Sequence, residues 1–197
     1  MNTIDGAKSV SVQSLEEHLE VMRSLLNDCL KQIEETALII ATALREGHKV
    51  LLCGNGGSAA DAQHIAAELV GRFEGERRGW PAIAMTTDTS ALTAIANDYG
   101  FAEIFARQVQ ALATEGDVLI ALSTSGSSEN IIRAIERARE IKCRTIALTG
   151  AAGAHFASLC DAYVIVPSSR TARIQEAHGT IGHIWCEIVD QKLAGAN

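Results

Sequence analysis

Three side chains within one short stretch, Asp61, His64 and Glu68, are spaced three and four apart, so on a helix they share a face. An imidazole and a carboxylate at i, i+4 can share a metal ion or a reacting proton. The plainer reading is a solvated polar stripe, in which Asp61 either orients the His64 imidazole or is a charge near a helix start. Farther along, Gln175, His178 and His183 stand near the beginning of another amphipathic stretch. A lone histidine there is usually structural or surface. Gln175 and His183 are eight residues apart, about 12 Å along a helix axis. If both serve one site, the reactive centre lies between them or different subunits supply them, which points to a site near a subunit interface.

Two loops could hold an anion or a sugar. Gly54-Asn55-Gly56-Gly57-Ser58 follows an apolar run and opens a helix, so its amides face outward. It lacks the Lys-Ser/Thr of a P-loop and the dinucleotide spacing, and reads equally well as a tight strand-to-helix turn. Ser123-Thr124-Ser125-Gly126-Ser127-Ser128-Glu129-Asn130 is more informative. Its hydroxyls and helix-start amides suit a phosphate monoester held without lysine, against a merely polar N-cap loop. Asn97-Asp98, before Tyr99-Gly100, reads first as a turn and could equally bond sugar hydroxyls.

The elements that must position these residues follow from periodicity. Leu15, Leu19, Met22, Leu26, Cys29 and Ile33 form one helical stripe, with Ser14 and Glu17 as a capping box at its start. A second helix runs through Leu38, Ile39, Ala41 and Leu44 to a stop at Gly47. This leading helical hairpin, over about residues 14–46, is expected to make oligomer contacts or cover a sheet. Short apolar runs then alternate with helical stretches, the pattern of βαβ crossovers. The expected strands are Lys49–Cys53, Ala82–Met85, Val118–Leu122, Thr145–Leu148 and Tyr163–Val166. Helices are expected near Ser58–Arg72, Ala91–Ala96 with Ile104–Leu112, Glu129–Glu140, Ala154–Leu159 and Ile174–Leu193. In such sheets ligands bind beyond the carboxyl ends of the strands, where both loops fall.

Composition agrees with one α/β domain spanning residues 1–197. The 197 residues are 47% hydrophobic and 21% charged with two prolines, enough for a full core and unlike a disordered chain. Aromatics at 4% argue against an aromatic-rich β-sandwich. A net charge of −7 weighs against nucleic-acid binding. Five scattered cysteines, Cys29, Cys53, Cys143, Cys160 and Cys186, never fall in a CxxC pattern and read as core residues of a reducing compartment. The N-terminus carries no signal-peptide pattern and no apolar run approaches the ~20 residues of a membrane span, so the expected location is cytoplasmic, away from membranes.

With these residues placed, the chain resembles the sugar isomerase (SIS) fold and, within it, the bacterial phosphoheptose isomerase family. The resemblance covers nearly the full length and rests on CGNGGSAADAQHIAAEL, PAIAMTTDTSALTAIANDYGF, GDVLIALSTSGSSENI and RIQEAHGTIGHIWCEI, in that order. It implies a three-layer αβα sandwich with a five-stranded, flavodoxin-like parallel sheet. It also implies interconversion of sedoheptulose 7-phosphate with a manno-configured heptose 7-phosphate, the first step towards activated heptose for lipopolysaccharide core or capsule. A homotetramer with sites at subunit interfaces is implied as well, with one Zn²⁺ per subunit. By matching motifs, the metal ligands fall on His64, Glu68, Gln175 and His183. Substrate contacts fall on Asn55, Gly56, Gly57, Glu68, Asn97, Asp98, Ser123, Thr124, Ser125, Ser128 and Gln175.

The replication-initiator-associating proteins are similar over the same span, including NGGSAA, LTAIAND and RIQE, and are binding proteins. They lack the acidic and histidine side chains found here at Glu68 and His183. A non-catalytic binding tetramer and a sugar-phosphate sensor are therefore the alternatives to an isomerase, and the paired Glu68 and His183 separate them. Moving a carbonyl between C2 and C1 needs a base that takes a proton from one carbon and returns it to the other through a cis-enediol. Glu68 is expected to be that base and His183 the acid.

Overall fold

The computed structural model describes residues 9–195. Its strands are β1 (Val50–Gly54), β2 (Ala82–Ala84), β3 (Val118–Ser123), β4 (Arg144–Gly150) and β5 (Ala162–Val166). Its α-helices are α1 (Val10–Ser24), α2 (Leu30–Arg45), α3 (Gly57–Val70), α4 (Thr89–Tyr99), α5 (Ala106–Leu112), α6 (Glu129–Glu140), α7 (Ala154–Ala157) and α8 (Thr171–Leu193). Each expected strand is present, shifted by at most two residues at an end.

All strands pair in parallel in the order β2-β1-β3-β4-β5. This is the flavodoxin-like doubly wound order, which reverses direction at β1/β3. Strand residues alternate between the two faces, as a two-residue period requires. Val50, Leu52, Val118 and Ile120 bury against α2, α3 and α8 through Ile40, Leu44, Ile65, Leu69, Ile181 and Val189. Leu51, Cys53, Leu119 and Ala121 bury on the opposite face, among Phe105, Val109, Ile131, Ile135 and Phe156 of the following helices and their approaches. The result is a helix–sheet–helix sandwich. Because β1 and β3 are neighbours in register, with Gly54 opposite Leu122, the glycine and serine loops emerge side by side.

The leading helices differ in detail from the expectation. Helix α1 starts at Ser9, whose hydroxyl accepts the Val12 amide at 3.3 Å, five residues before the expected capping box. Ser14 lies inside the helix, its carbonyl taken by Arg173, and Glu17 pairs with Arg170. The helix continues upstream to the Ser9 cap, so Ser14 has no free helix-start amide to cap, and the Glu17 carboxylate is taken up by Arg170. Helix α2 follows α1 through a five-residue π-helical segment, Leu25–Cys29, so the helical pair is joined end to end.

Helix α8 buries Ile174, Ala177, His178, Ile181, Trp185 and Val189. The Trp185 indole, fully inside, donates to Thr36 Oγ1 at 2.9 Å and ties α8 to α2. Cys29, Cys53, Cys143 and Cys186 are buried, and Cys160 is half-buried. Among the described residues no helix is long and apolar enough to cross a membrane.

Candidate active site

Helices α3 and α8 run side by side in the same direction. Gly57 at the start of α3 touches the Gln175 amide, and two turns on, Ile65 meets Gly182. Bare backbone at both glycines is what allows this approach, since a Cβ at either would strike the facing side chain. The seam brings together His64 and Glu68 of α3 with His183 of α8, 119 residues from His64. His64 and His183 face each other with their Nε2 atoms 2.8 Å apart, and Glu68 Oε1 lies 3.6 Å from His64 Nε2. Ligand atoms of His64, Glu68 and His183 all lie within 4.8 Å of one another.

Two neutral imidazole nitrogens this close need either a proton between them or one ion bound by both. Two imidazoles and a carboxylate fit a divalent transition metal, Zn²⁺ among several. The trio is thus assembled within one chain, with Gln175 along the same seam. Its surroundings are open: the His64 side chain is 51% exposed. Cavities of about 480 Å³ beside Trp80 and about 540 Å³ beside Pro167 are lined by other residues.

Asp61 is on the same helix, but its expected roles shift. It lies in the second turn of α3, past the reach of the helix-start dipole. One carboxylate oxygen is buried without a hydrogen-bond partner, and this burial raises its pKa, with the His64 charge opposing. His178 is fully buried, and neither ring nitrogen makes a well-formed hydrogen bond, the polar group beside it being the Thr149 backbone. Burial brings its pKa down to about 4, opposed in part by the Thr149 backbone, so it stands as a neutral core imidazole.

The two loops are locked to one another. Asn55 and Asn130 exchange a pair of amide hydrogen bonds, both 2.9 Å, across the β1/β3 switch point. Ser123 accepts the Gly126 amide at 3.1 Å, and Ser125 Oγ lies 2.9 Å from Ser127 Oγ at the exposed tip. Ser128 is the N-cap of α6, and its hydroxyl makes no capping bond. Thr149 on β4 donates to the Ser123 carbonyl at 2.5 Å and fixes the base of the loop.

Asn97 and Asp98 are not a turn. They form the last turn of α4, which Asp88 caps at 2.9 Å and Gly100 ends. Asn97 donates to Asp98 at 2.8 Å, and both are exposed, on a helix that buries none of its residues. Sequence reasoning missed Asn130 as the loop lock, and Phe73, whose ring lies 5.4 Å from that of His183. Neither carries a local signal, because both act through partners distant in the chain.

The fold and its paired loops are those of a SIS domain, and the SIS domain family model matches residues 14–150. A phosphoheptose isomerase of a Nitratiruptor species is 55% identical over 181 residues, 92% of this chain and 97% of that protein. The solved phosphoheptose isomerase of Francisella tularensis superposes with a TM-score of 0.90 at 40% identity, covering 94% of this chain and 100% of that one. That of Neisseria gonorrhoeae gives 0.87 at 42% identity, covering 92% and 97%. The chain belongs to the phosphoheptose isomerase family of SIS-domain enzymes, and is an isomerase.

Proposed function

We propose that the chain interconverts D-sedoheptulose 7-phosphate and D-glycero-D-manno-heptose 7-phosphate, supplying activated heptose for lipopolysaccharide core or capsule. The observation that carries this reading is the convergence of His64, Glu68 and His183 along the α3–α8 seam. Pure binding of a sugar phosphate has no need of an acid/base pair. The relatives named phosphoheptose isomerase supply the substrate.

In this reading the serine loop holds the phosphate through Ser123, Thr124, Ser125, Ser128 and the α6 amides. Asn55, Gly56 and Gly57, with Asn97 and Asp98, bind sugar hydroxyls. His64 lies two turns, about 10 Å, along α3 from the glycine loop. That spacing supports a long sugar phosphate, with its carbonyl end at the trio. Glu68 takes the C1 proton and returns it to C2, while His183 protonates O2 and accepts the proton of O1, so the cis-enediol collapses to the aldose. His64, Glu68 and His183 would hold one Zn²⁺ per subunit, Glu68 and His183 each serving as ligand in one step and proton carrier in another. Gln175 would be supplied by a neighbouring subunit, since within one chain it sits beside Gly57, two turns from the trio. When bound, the ion polarises the carbonyl as a Lewis acid.

The active form in this reading is a homotetramer with each site at a subunit interface, one domain per chain. The open trio, the unburied α4 and the exposed Leu15, Leu19, Leu26 and Leu30 on the leading helices support it. Its place is the reducing cytoplasm, where five unpaired cysteines persist. Glu68→Gln tests the chemistry: with metal still bound, turnover should fall by at least about 100-fold. Wild-type turnover from that variant would remove Glu68 as the base, and an isolated active monomer in sedimentation would remove the interface site.

A further inference from the structure

The segment between α3 and β2 is rich in charge, and one of its arginines is not at the surface. Arg77 has a side chain only 13% exposed. Its Nη2 donates to the Glu68 carbonyl at 2.8 Å. Its Nη1 donates to the carbonyls of Leu69 at 2.9 Å, Arg78 at 3.0 Å and Gly71 at 3.2 Å. Its Nε donates to Asp190 Oδ1 on α8 at 2.6 Å.

These acceptors define a location. The last carbonyls of a helix lack intrahelical donors and carry its negative dipole end, so a guanidinium there satisfies both. The planar fork reaches several carbonyls and a carboxylate at once, which a lysine ammonium cannot. One end of the fork grips the backbone of Glu68 itself. The other grips Asp190, seven residues past His183 and therefore on nearly the same face of α8. Phe73, from the same segment, lies against the His183 ring.

We propose that Arg77 and Asp190 are positioning residues: their ion pair staples the end of α3 to α8 and sets the separation of Glu68 and His64 from His183. The proposal rests on the reading of that trio as the reactive centre. It adds a device outside the trio, since neither residue needs to touch substrate or ion.

The test uses the full-length protein with Arg77→Lys and Asp190→Asn, and three readouts. These are Zn²⁺ affinity by competition with a chromophoric chelator, kcat and KM on sedoheptulose 7-phosphate, and the imidazole NMR signals of the metal-free protein. Arg77→Lys should keep its far-UV spectrum and lose about 10- to 100-fold in Zn²⁺ affinity, the usual effect of removing a group that orients ligands. Its kcat should fall by a similar factor while KM stays within about twofold. The ring signals of His64 and His183 should move, and those of His155 on α7 should not. Asp190→Asn, which keeps shape and one acceptor oxygen, should change each readout in the same direction by less, and carries the test if Arg77→Lys does not fold.

Folded variants with wild-type affinity, kcat and imidazole signals would overturn the staple. If the wild-type protein neither binds Zn²⁺ nor turns over the sugar, the proposed function fails. The staple is then judged by the metal-free ring signals alone.

Discussion

Gly182 of α8 lies so close to Ile65 of α3 that a Cβ on the glycine would stand 2.6 Å from Ile65 Cγ1. The two residues adjoin His183 and His64, so this close approach of the helices falls where the imidazoles meet. Ile65 is β-branched, buried and stiff, so it cannot yield as a flexible side chain would. Gly182→Ala should destabilise by about 1–3 kcal/mol through overpacking. It should also weaken Zn²⁺ binding by forcing the seam open. Urea denaturation and metal titration of the purified variant check both effects, and unchanged metal affinity would show that the contact does not set the imidazole spacing.

Gly57→Ala acts differently, because the atoms it meets are the amide end of Gln175, which can swing away. Stability should change by less than about 1 kcal/mol, since alanine is the better helix former. Turnover should drop by at least about tenfold as Gln175 leaves its place. Thermal unfolding beside steady-state kinetics separates the two, and wild-type kinetics would argue against a role for Gln175.

His178 makes stability depend on pH with a definite sign. Unfolded, its imidazole takes a proton near pH 6.5, whereas burial in the fold holds it neutral down to about pH 4. Between those values the unfolded chain binds more protons, so stability falls as pH falls, by up to about 3 kcal/mol. Above pH 6.5 this contribution is constant. His178→Leu should flatten the slope of urea-unfolding free energy between about pH 4 and pH 6.5 relative to wild type. Parallel slopes would mean that the imidazole is not held neutral.

Asp117, buried at the start of β3, lies at the end of the sheet remote from the loops. It accepts the Lys49 amide at 2.9 Å, Lys49 Nζ at 2.5 Å, the Thr114 amide at 2.7 Å and Thr114 Oγ1 at 3.0 Å. Burial alone would raise its pKa, but these donors hold it below the ordinary carboxylate value. Its contribution is present above about pH 4 and lost as pH falls through the lower folded value. Asp117→Ala should cost about 3–5 kcal/mol, since it strands Lys49 and two donors. Zn²⁺ affinity of the folded fraction should not change, as equilibrium denaturation and metal titration will show.

Most of the scaffold was readable from periodicity. Apolar runs such as Val118–Leu122 sit within buried strands, and Glu129–Glu140 forms a helix with the expected bounds. His64 and Glu68 share a helix face because i, i+4 spacing is a local property. What was not legible depends on partners distant in sequence. The capping box at Ser14 and Glu17 is absent because the helix starts upstream at Ser9, and Glu17 pairs instead with Arg170 of the distant α8 start. Asn97-Asp98 looks like a turn by residue type, yet the preceding helix continues through it until Gly100. The 2.8 Å meeting of His64 and His183 needs residues 119 apart, and Arg77 acts through backbone carbonyls, which leave no mark in side-chain patterns.

Everything proposed for the site turns on proton transfer by the trio on a heptose phosphate. It is measured by incubating metal-loaded and chelator-stripped protein with sedoheptulose 7-phosphate in D₂O and following product and deuterium by NMR. Heptose 7-phosphate is expected from the loaded protein only, with deuterium incorporated at C2. Neither product nor exchange from folded, metal-loaded protein would contradict proton transfer and favour a binding role for the site.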